Sequence, residues 1–182
     1  TATLTSTRCS ENTQILILTN TIKLEIKMSI TVGFVSLGCA KNRVDCEMMM
    51  SKVHNGGFKL IEDAAMADVA VINTCGFIES AKQESIEEIL ELSKLKEEGK
   101  IKKIIVTGCL AERYKDDVTE EIPEVDVCVG LGSNSNIAEI VKNAIEGKKQ
   151  NYYGAKEDLD LNGKRILGGY PFTTYLKVAD GC

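Results

Sequence analysis

The chain has 182 residues, which is room for one ordinary domain and the beginning of a second. Hydrophobic residues make up 43% and charged residues 27% of the sequence, so a disordered or fibrous chain is excluded. The net charge of −5 and the absence of tryptophan argue against direct nucleic-acid binding. No apolar run approaches the roughly 18 residues that a membrane span needs. We therefore expect a soluble protein that does not bind a membrane.

The seven cysteines are an odd number and lie far apart along the chain. Secreted scaffolds that rely on disulfides are usually shorter and have an even count. The pattern indicates a reducing, cytoplasmic setting, in which thiols bind metal or take part in chemistry unless they are simply packed. The cysteines are Cys9, Cys39, Cys46, Cys75, Cys109, Cys128 and Cys182.

The composition divides the chain into four parts. Residues 1–27 hold seven threonines and no glycine, and we interpret them as a non-native or disordered extension before the natural start at Met28. Residues 28–148 alternate short apolar runs with helical patterns and are predicted to form one domain. Residues 149–169 are polar and are predicted to be a linker. Residues 170–182 are predicted to begin a second domain, with a first strand at 173–178.

Within the first domain the pattern predicts five strands and four helices in alternation. The strands are predicted at 30–37, 58–61, 69–73, 103–107 and 125–129. The helices are predicted at 42–55, 79–98, 110–121 and 137–145. Short apolar strands that alternate with helices indicate an α/β fold, an open parallel sheet with helices on both faces.

Three of the cysteines follow predicted strands directly or closely, and each adjoins a glycine. Because parallel strands end at the same edge of a sheet, Cys39, Cys75 and Cys109 are expected to lie near one another. Three thiolates can hold three irons of a four-iron cluster and leave the fourth open. A structural zinc site needs a fourth ligand, and the only histidine, His54, lies near the end of a helix. The alternative is that these cysteines are small buried hydrophobic residues.

Four sequence blocks, in order, resemble the methylthiotransferases. They are SLGCAKNRVD at 36–45, NTCGFI at 73–78, TGCLAERY at 107–114 and VADGC at 178–182. The first three are similar to the N-terminal domain of that family, and the last to the start of its radical S-adenosylmethionine motif, CxxxCxxC. The resemblance covers residues 28–182. Within the family, the run LGCAKNxVD resembles the RimO-type members.

The resemblance implies that Cys39, Cys75 and Cys109 ligate an auxiliary [4Fe-4S] cluster. It implies that Cys182 is the first ligand of a second [4Fe-4S] cluster, which binds and cleaves S-adenosylmethionine. For Asn42 and Asp45 we expect capping or hydrogen bonds close to the auxiliary cluster. No catalytic side chain is assigned.

RimO-type enzymes add a methylthio group to the β-carbon of an aspartate in protein twelve of the small ribosomal subunit. The resemblance therefore implies that protein, or the ribosome, as the partner of the full-length parent. A tRNA adenosine substrate is the alternative within the family. A non-catalytic α/β module that binds a nucleotide-like ligand or a partner is the alternative from another class.

The sequence departs from the family pattern in two respects. The other two cysteines of CxxxCxxC would lie beyond Cys182, so this chain alone is expected to be inactive. Cys46 stands where the family often has serine, and we interpret it as a tolerated change or a spare ligand.

Cys128 lies in an apolar strand and is expected to be a packing residue, whereas Cys9 is expected to have no role. The glycine-rich segment 130–134 is expected to be a strand-to-helix turn rather than a phosphate loop.

Overall fold

The computed structural model describes residues 30–155, 163–168 and 172–179. The predicted extension, Met28, Cys9 and Cys182 lie outside these residues. The strands are β1 (Thr31–Ser36), β2 (Lys59–Ile61), β3 (Val69–Thr74), β4 (Lys103–Gly108) and β5 (Val127–Val129). The α-helices are α1 (Ala40–Asn55), α2 (Glu79–Glu97), α3 (Cys109–Tyr114), α4 (Asp116–Glu121) and α5 (Ile137–Ile145). In the described part of the chain, no helix combines the length and the apolar character needed to cross a membrane.

The five strands form one parallel sheet in the order β2-β1-β3-β4-β5. This confirms the predicted α/β fold. The sequence order of the strands reverses at β1, because β2 lies on one side of it and β3 on the other. In open sheets of this kind, ligands bind at that reversal, outside the carboxyl ends of the strands.

The two faces of the sheet carry separate apolar cores, because neighbouring residues of a strand point to opposite faces. In β3, Val69 and Val71 pack with α1 and α5, whereas Ala70 and Ile72 pack with the other three helices. All of β3 is buried, as expected for a central parallel strand. A fully buried Val or Ile side chain contributes roughly 1.5–3 kcal/mol to folding, so the two cores hold the sheet firmly between helical layers.

The helix predicted at 110–121 is instead two helices, α3 and α4. They are separated at Lys115, whose φ of 47° lies in the left-handed region. A residue with a side chain rarely takes this conformation, and nothing in the local sequence signals it. The turn is accompanied by burial of Val118 in the core beneath α4.

The segments predicted as linker and second domain also differ in detail. Tyr152, inside the predicted linker, forms a parallel bridge to Val129 on β5, an outermost strand of the sheet. Its backbone N–H donates to the Cys128 carbonyl at 2.9 Å, and its carbonyl accepts from the N–H of Gly130 at 2.8 Å. The strand predicted at 173–178 does not form in the described residues 172–179. A strand needs a neighbouring strand to bond with, and local sequence does not reveal whether one is present.

Candidate metal centre

Three cysteines stand at the carboxyl edge of the sheet, the edge at which its parallel strands end. Cys75 directly follows β3, and Cys109 directly follows β4 as the first residue of α3. Cys39 comes three residues after the end of β1 and is the N-cap of α1. The three strands are neighbours, with Ser36 paired to Asn73. Cys39 and Cys75 therefore flank the reversal in strand order, where an open parallel sheet has its crevice.

Glycines bring the three cysteine-bearing segments into close contact. A Cβ added to Gly38 would lie 2.5 Å from the Cβ of Cys75 and 3.1 Å from its Sγ. A Cβ added to Gly76 would lie 2.7 Å from the Cα of Leu110 and 3.0 Å from the carbonyl carbon of Cys109. Any larger residue would push these segments apart. The segment that carries Cys39 thus contacts the segment that carries Cys75 through Gly38. The Cys75 segment contacts the Cys109 segment through Gly76.

The buried side chain of Asn42 joins the same three segments. Its Nδ2 donates to the carbonyl of Leu37 at 2.9 Å and to the carbonyl of Thr74 at 3.0 Å. Its Oδ1 faces the Cys109 thiol, which donates to it weakly across 3.9 Å. Leu37 lies two residues before Cys39, and Thr74 immediately precedes the second cysteine. One amide therefore fixes the relative positions of all three segments.

Buried polar side chains continue from this amide across the carboxyl edge. Asn73 Nδ2 donates to the Asn42 carbonyl at 2.7 Å, and Thr74 Oγ1 donates to the Thr107 carbonyl at 2.6 Å. Thr107 Oγ1 donates in turn to Asn134 Oδ1 at 2.7 Å. Asn73 Oδ1 and Asn134 Nδ2 have no hydrogen-bond partner among the described residues. Such buried, unpaired atoms are costly and uncommon in native structures.

Two further residues hold the segment after β3. The N–H of Cys75 donates to Ser85 Oγ at 3.0 Å, and that hydroxyl donates to the Ala81 carbonyl at 2.7 Å. Arg113 on α3 donates to the Gly76 carbonyl at 3.2 Å. Sequence reasoning missed Ser85. The available signal was a small polar residue four positions before Ile89, on the buried face of α2.

The three thiols differ in their access to solvent. Cys39 is exposed, Cys109 is partly buried and Cys75 is buried. Beside Cys39 the surface opens into a pocket of about 350 Å³. Its lining comprises Ser36, Leu37, Gly38, Cys39, Ala40, Arg43 and Tyr175. A ligand can therefore reach this edge from the side of β1 and α1.

Cys46 and Cys128 have a different environment. Burial, with a smaller effect from nearby Glu47, raises the pKa of the Cys46 thiol to about 12. Burial likewise raises the pKa of the Cys128 thiol to about 11. Only the thiolate is a strong metal ligand, so neither site favours ligation. Both residues pack in the interior, and Cys128 belongs to the core on the α2 side of the sheet.

The remaining predicted site residues are Asp45 and Cys182. Asp45 forms an ion pair with Lys177, whose Nζ lies 2.7 Å from its Oδ1. Cys182 lies outside the described residues, so its predicted role as the first ligand of a second cluster stays a prediction.

The donor set agrees with an iron–sulfur cluster in chemical type. Among the described residues, Cys, His, Asp and Glu side chains form no group of three or more spaced for a single metal ion. A four-iron cluster is held differently, because each thiolate binds a separate iron. Soft sulfur donors suit such clusters, and His54 lies in the last turn of α1, away from Cys39 at its beginning. By donor type and strand position, the three thiols fit a four-iron cluster.

Comparison with known proteins gives one family and a set of similar proteins. The family described as Uncharacterized protein family UPF0004 matches residues 31–130. A protein named Ribosomal protein uS12 methylthiotransferase RimO, from Desulforamulus reducens, is 48% identical over 156 residues, which cover 84% of this chain and 35% of that protein. Its namesake from Bdellovibrio bacteriovorus is 45% identical over 163 residues, covering 88% of this chain and 36% of the relative. The chain spans about a third of the length of these relatives.

Proposed function

This chain belongs to the UPF0004 protein family, and on that premise we propose that it is the auxiliary-cluster part of a radical S-adenosylmethionine methylthiotransferase. Its substrate is an aspartate of ribosomal protein uS12, to whose β-carbon the enzyme adds a methylthio group in the cytoplasm. The similarity to proteins named uS12 methylthiotransferase supports this substrate. The four sequence blocks described above support the cluster.

The observation that carries the proposal is the meeting of three cysteine-bearing segments at one edge of the sheet. Cys39, Cys75 and Cys109 would hold the [4Fe-4S] cluster, whose open iron supplies a site for the sulfur that is transferred. Asn42 would keep the three segments in register through its bonds to the Leu37 and Thr74 carbonyls. Gly38 and Gly76 provide the close approach without which the segments would separate.

The surroundings of Cys39 fix its position and leave space for an incoming group. Cys39 is the N-cap of the 16-residue helix α1, so a long regular element fixes its position at the carboxyl edge. The adjoining pocket of about 350 Å³ leaves room beside this thiol for a small sulfur-containing group. The role of this chain is thus to bind the cluster, orient it and leave one side of it open.

The test is anaerobic reconstitution of the chain with iron and sulfide. We expect about four irons per chain and a broad absorption band in the visible range. Replacement of Cys39, Cys75 or Cys109 by Ala should abolish the band. The matched controls Cys46→Ala and Cys128→Ala should retain it, because their thiols are buried and protonated. A loss of iron in Cys128→Ala as large as that in Cys75→Ala would refute the ligand assignment.

The substrate is tested separately, with the complete enzyme. A uS12 fragment that contains the target aspartate should gain the mass of a methylthio group, whereas tRNA should not. Modification of a tRNA adenosine instead would keep the cluster and change the substrate. A chain that binds no iron under any reconstitution condition would favour a non-catalytic α/β module.

A further inference from the structure

Two segments near the end of the described chain lie against the helix that follows the first cysteine. We call residues 163–168 and 172–179 together the strap. Its polar contacts include three charged residues in the first half of α1, namely Arg43, Asp45 and Glu47. The strap is therefore attached to the helix whose N-cap is the proposed ligand Cys39.

Glu47 is the main attachment point for residues 163–168. Its backbone carbonyl accepts from the N–H of Ile166 at 3.1 Å, and its Oε1 accepts from the N–H of Gly168 at 3.3 Å. The Arg165 guanidinium lies 3.7 Å from its Oε2. The Glu47 side chain is only 7% exposed. A buried carboxylate is costly unless it is paired, and Arg43 on α1 lies 3.6 Å from Oε1, so the strap adds further partners to this one.

Asp45 attaches the second segment through Lys177. Their side chains are 13% and 3% exposed, so this ion pair is largely shielded from water. The partners are 132 positions apart in the sequence. Because breaking a largely buried ion pair is costly, the pair fixes one position of the strap on α1.

The attached strap reaches the pocket beside Cys39. Arg43 donates to the Gly168 carbonyl, and its guanidinium carbon lies 5.8 Å from the centre of the Tyr175 ring. Arg165 donates to the Tyr175 carbonyl at 2.8 Å. Tyr175 and Arg43 line the same pocket as Cys39. The contacts on α1 thus determine where one wall of that pocket stands.

We propose that the Asp45–Lys177 ion pair holds Tyr175 in place as one wall of the pocket beside Cys39. This wall narrows the approach to the exposed Cys39 thiol. The biological role of this wall rests on the proposed function, because a cluster ligated by Cys39 would have Tyr175 on one side. The wall would narrow the approach of solvent and small thiols to the sulfur-bearing iron. Asp45, Lys177 and Tyr175 are positioning residues in this arrangement, since they act through the pocket.

The first test measures attachment of the strap in the metal-free chain. In Asp45→Asn and in Lys177→Met, the amides of Ile166 and Gly168 should exchange hydrogen at least about tenfold faster. The double variant should exchange no faster than the singles, because the two residues act as a pair. Lys177→Arg, which retains the charge, should stay close to the unmodified chain. Lys148→Met removes an exposed ion pair to Glu146 and should change nothing.

The second test separates access from general destabilisation. Alkylation of Cys39 by iodoacetamide, followed by peptide mass spectrometry, should be several-fold faster in Asp45→Asn and Lys177→Met. Alkylation of the buried thiols Cys46 and Cys128 should keep its unmodified rate. Equal acceleration at all of these thiols would show that the variants merely loosen the fold, and would overturn the proposal.

Unchanged exchange at the strap amides would also overturn it. Lys177 lies outside the sheet and its cores, so Lys177→Met keeps the test decisive if a substitution in α1 impairs folding. Both measurements use the chain without metal, so they succeed or fail independently of the cluster. The iron content of the cysteine variants tests the proposed function on its own.

Discussion

The two edges of the same sheet are built from different chemistry. At the amino edge, where the strands begin, carboxylates are paired with cations and backbone donors. Asp68 accepts from the Thr31 N–H at 2.8 Å and from its hydroxyl at 2.9 Å, and pairs with Lys102 at 2.8 Å. Asp126 pairs with Lys103 at 2.9 Å and also with Lys96.

At the carboxyl edge, amide, hydroxyl and backbone groups make hydrogen bonds that hold the three cysteine-bearing segments together. Thiols, amides, hydroxyls and glycines occupy it, and two buried amide atoms there lack a hydrogen-bond partner. The amino edge is therefore constructed for stability, whereas the carboxyl edge gives up some pairing for soft donors and close backbone approach. Local rules of this kind are usually broken where a protein has a function to perform.

The largest expected effect comes from crowding the carboxyl edge. A Cβ at Gly108 would lie 2.4 Å from the Thr74 carbonyl oxygen, and its φ of 98° suits glycine alone. Gly108→Ala should cost about 4 kcal/mol or more of unfolding free energy in urea titrations. Gly99→Ala is the matched control: its φ is 76°, with nothing within 4 Å of the added atom. It should cost only about 1 kcal/mol. Equal losses would show that space at the carboxyl edge is not limiting.

At the amino edge we expect the next largest effect, and one that depends on pH. Burial would raise the pKa of Asp126, but bonds from Lys96, the Ile104 N–H and Lys103 outweigh it and lower the pKa below its ordinary value. Asp126→Asn should therefore cost about 2–3 kcal/mol at pH 7, measured by urea unfolding.

The sign of the pH dependence follows from the lowered pKa. The stabilisation by Asp126 is complete above the unfolded-state pKa of about 3.9 and is lost as the pH falls through the lower folded-state value. The difference in unfolding free energy between the unmodified chain and Asp126→Asn should disappear in strong acid. The control Glu98→Gln removes an exposed pair to Lys100 and should cost less than about 0.5 kcal/mol throughout. A difference that persists in acid would contradict the assignment.

The smallest of the three effects on stability is expected for Asn42. Its replacement should also affect how firmly iron is retained. Asn42→Ala leaves the Leu37 and Thr74 carbonyls without their side-chain donor, and should cost about 1–2 kcal/mol. In the reconstituted chain it should also speed the loss of iron to a chelator several-fold. Asn143→Ala is the control, since it removes a bond to the Tyr152 hydroxyl away from the cysteines. Its iron should be released at the unmodified rate.

Features encoded by neighbouring residues were predictable from the sequence. The apolar runs and their flanking glycines predicted every strand of the sheet, the parallel arrangement and the position of the cysteines at the strand ends. Asn42 bonds to the Leu37 and Thr74 carbonyls beside the cysteines, and the prediction that Asn42 and Asp45 bond close to a cluster is not tested by these contacts. The role of Asn42 toward a cluster stays a prediction.

Features that depend on distant residues were not predictable. The pairing of Asp45 with Lys177 spans 132 positions, and no local pattern indicates it. The burial of Glu47 was not predicted either. Cys46 and Met48 on either side of it are also buried, which shows that α1 is covered on more than one side. The break at Lys115 depends on a conformation that lysine rarely adopts, so periodicity alone extended one helix through it.

The separation of Asp45 and Lys177 along the chain has a consequence for the order of folding. Their contact closes a loop that contains four of the five strands, β2 to β5, and closing so long a loop is entropically expensive. We therefore expect the strap to attach after the sheet has formed and to detach first when urea is added. A newly made chain would thus pass through a stage in which its cysteine-bearing segments are assembled but not yet covered by the strap, and the proposed cluster would be easiest to insert at that stage.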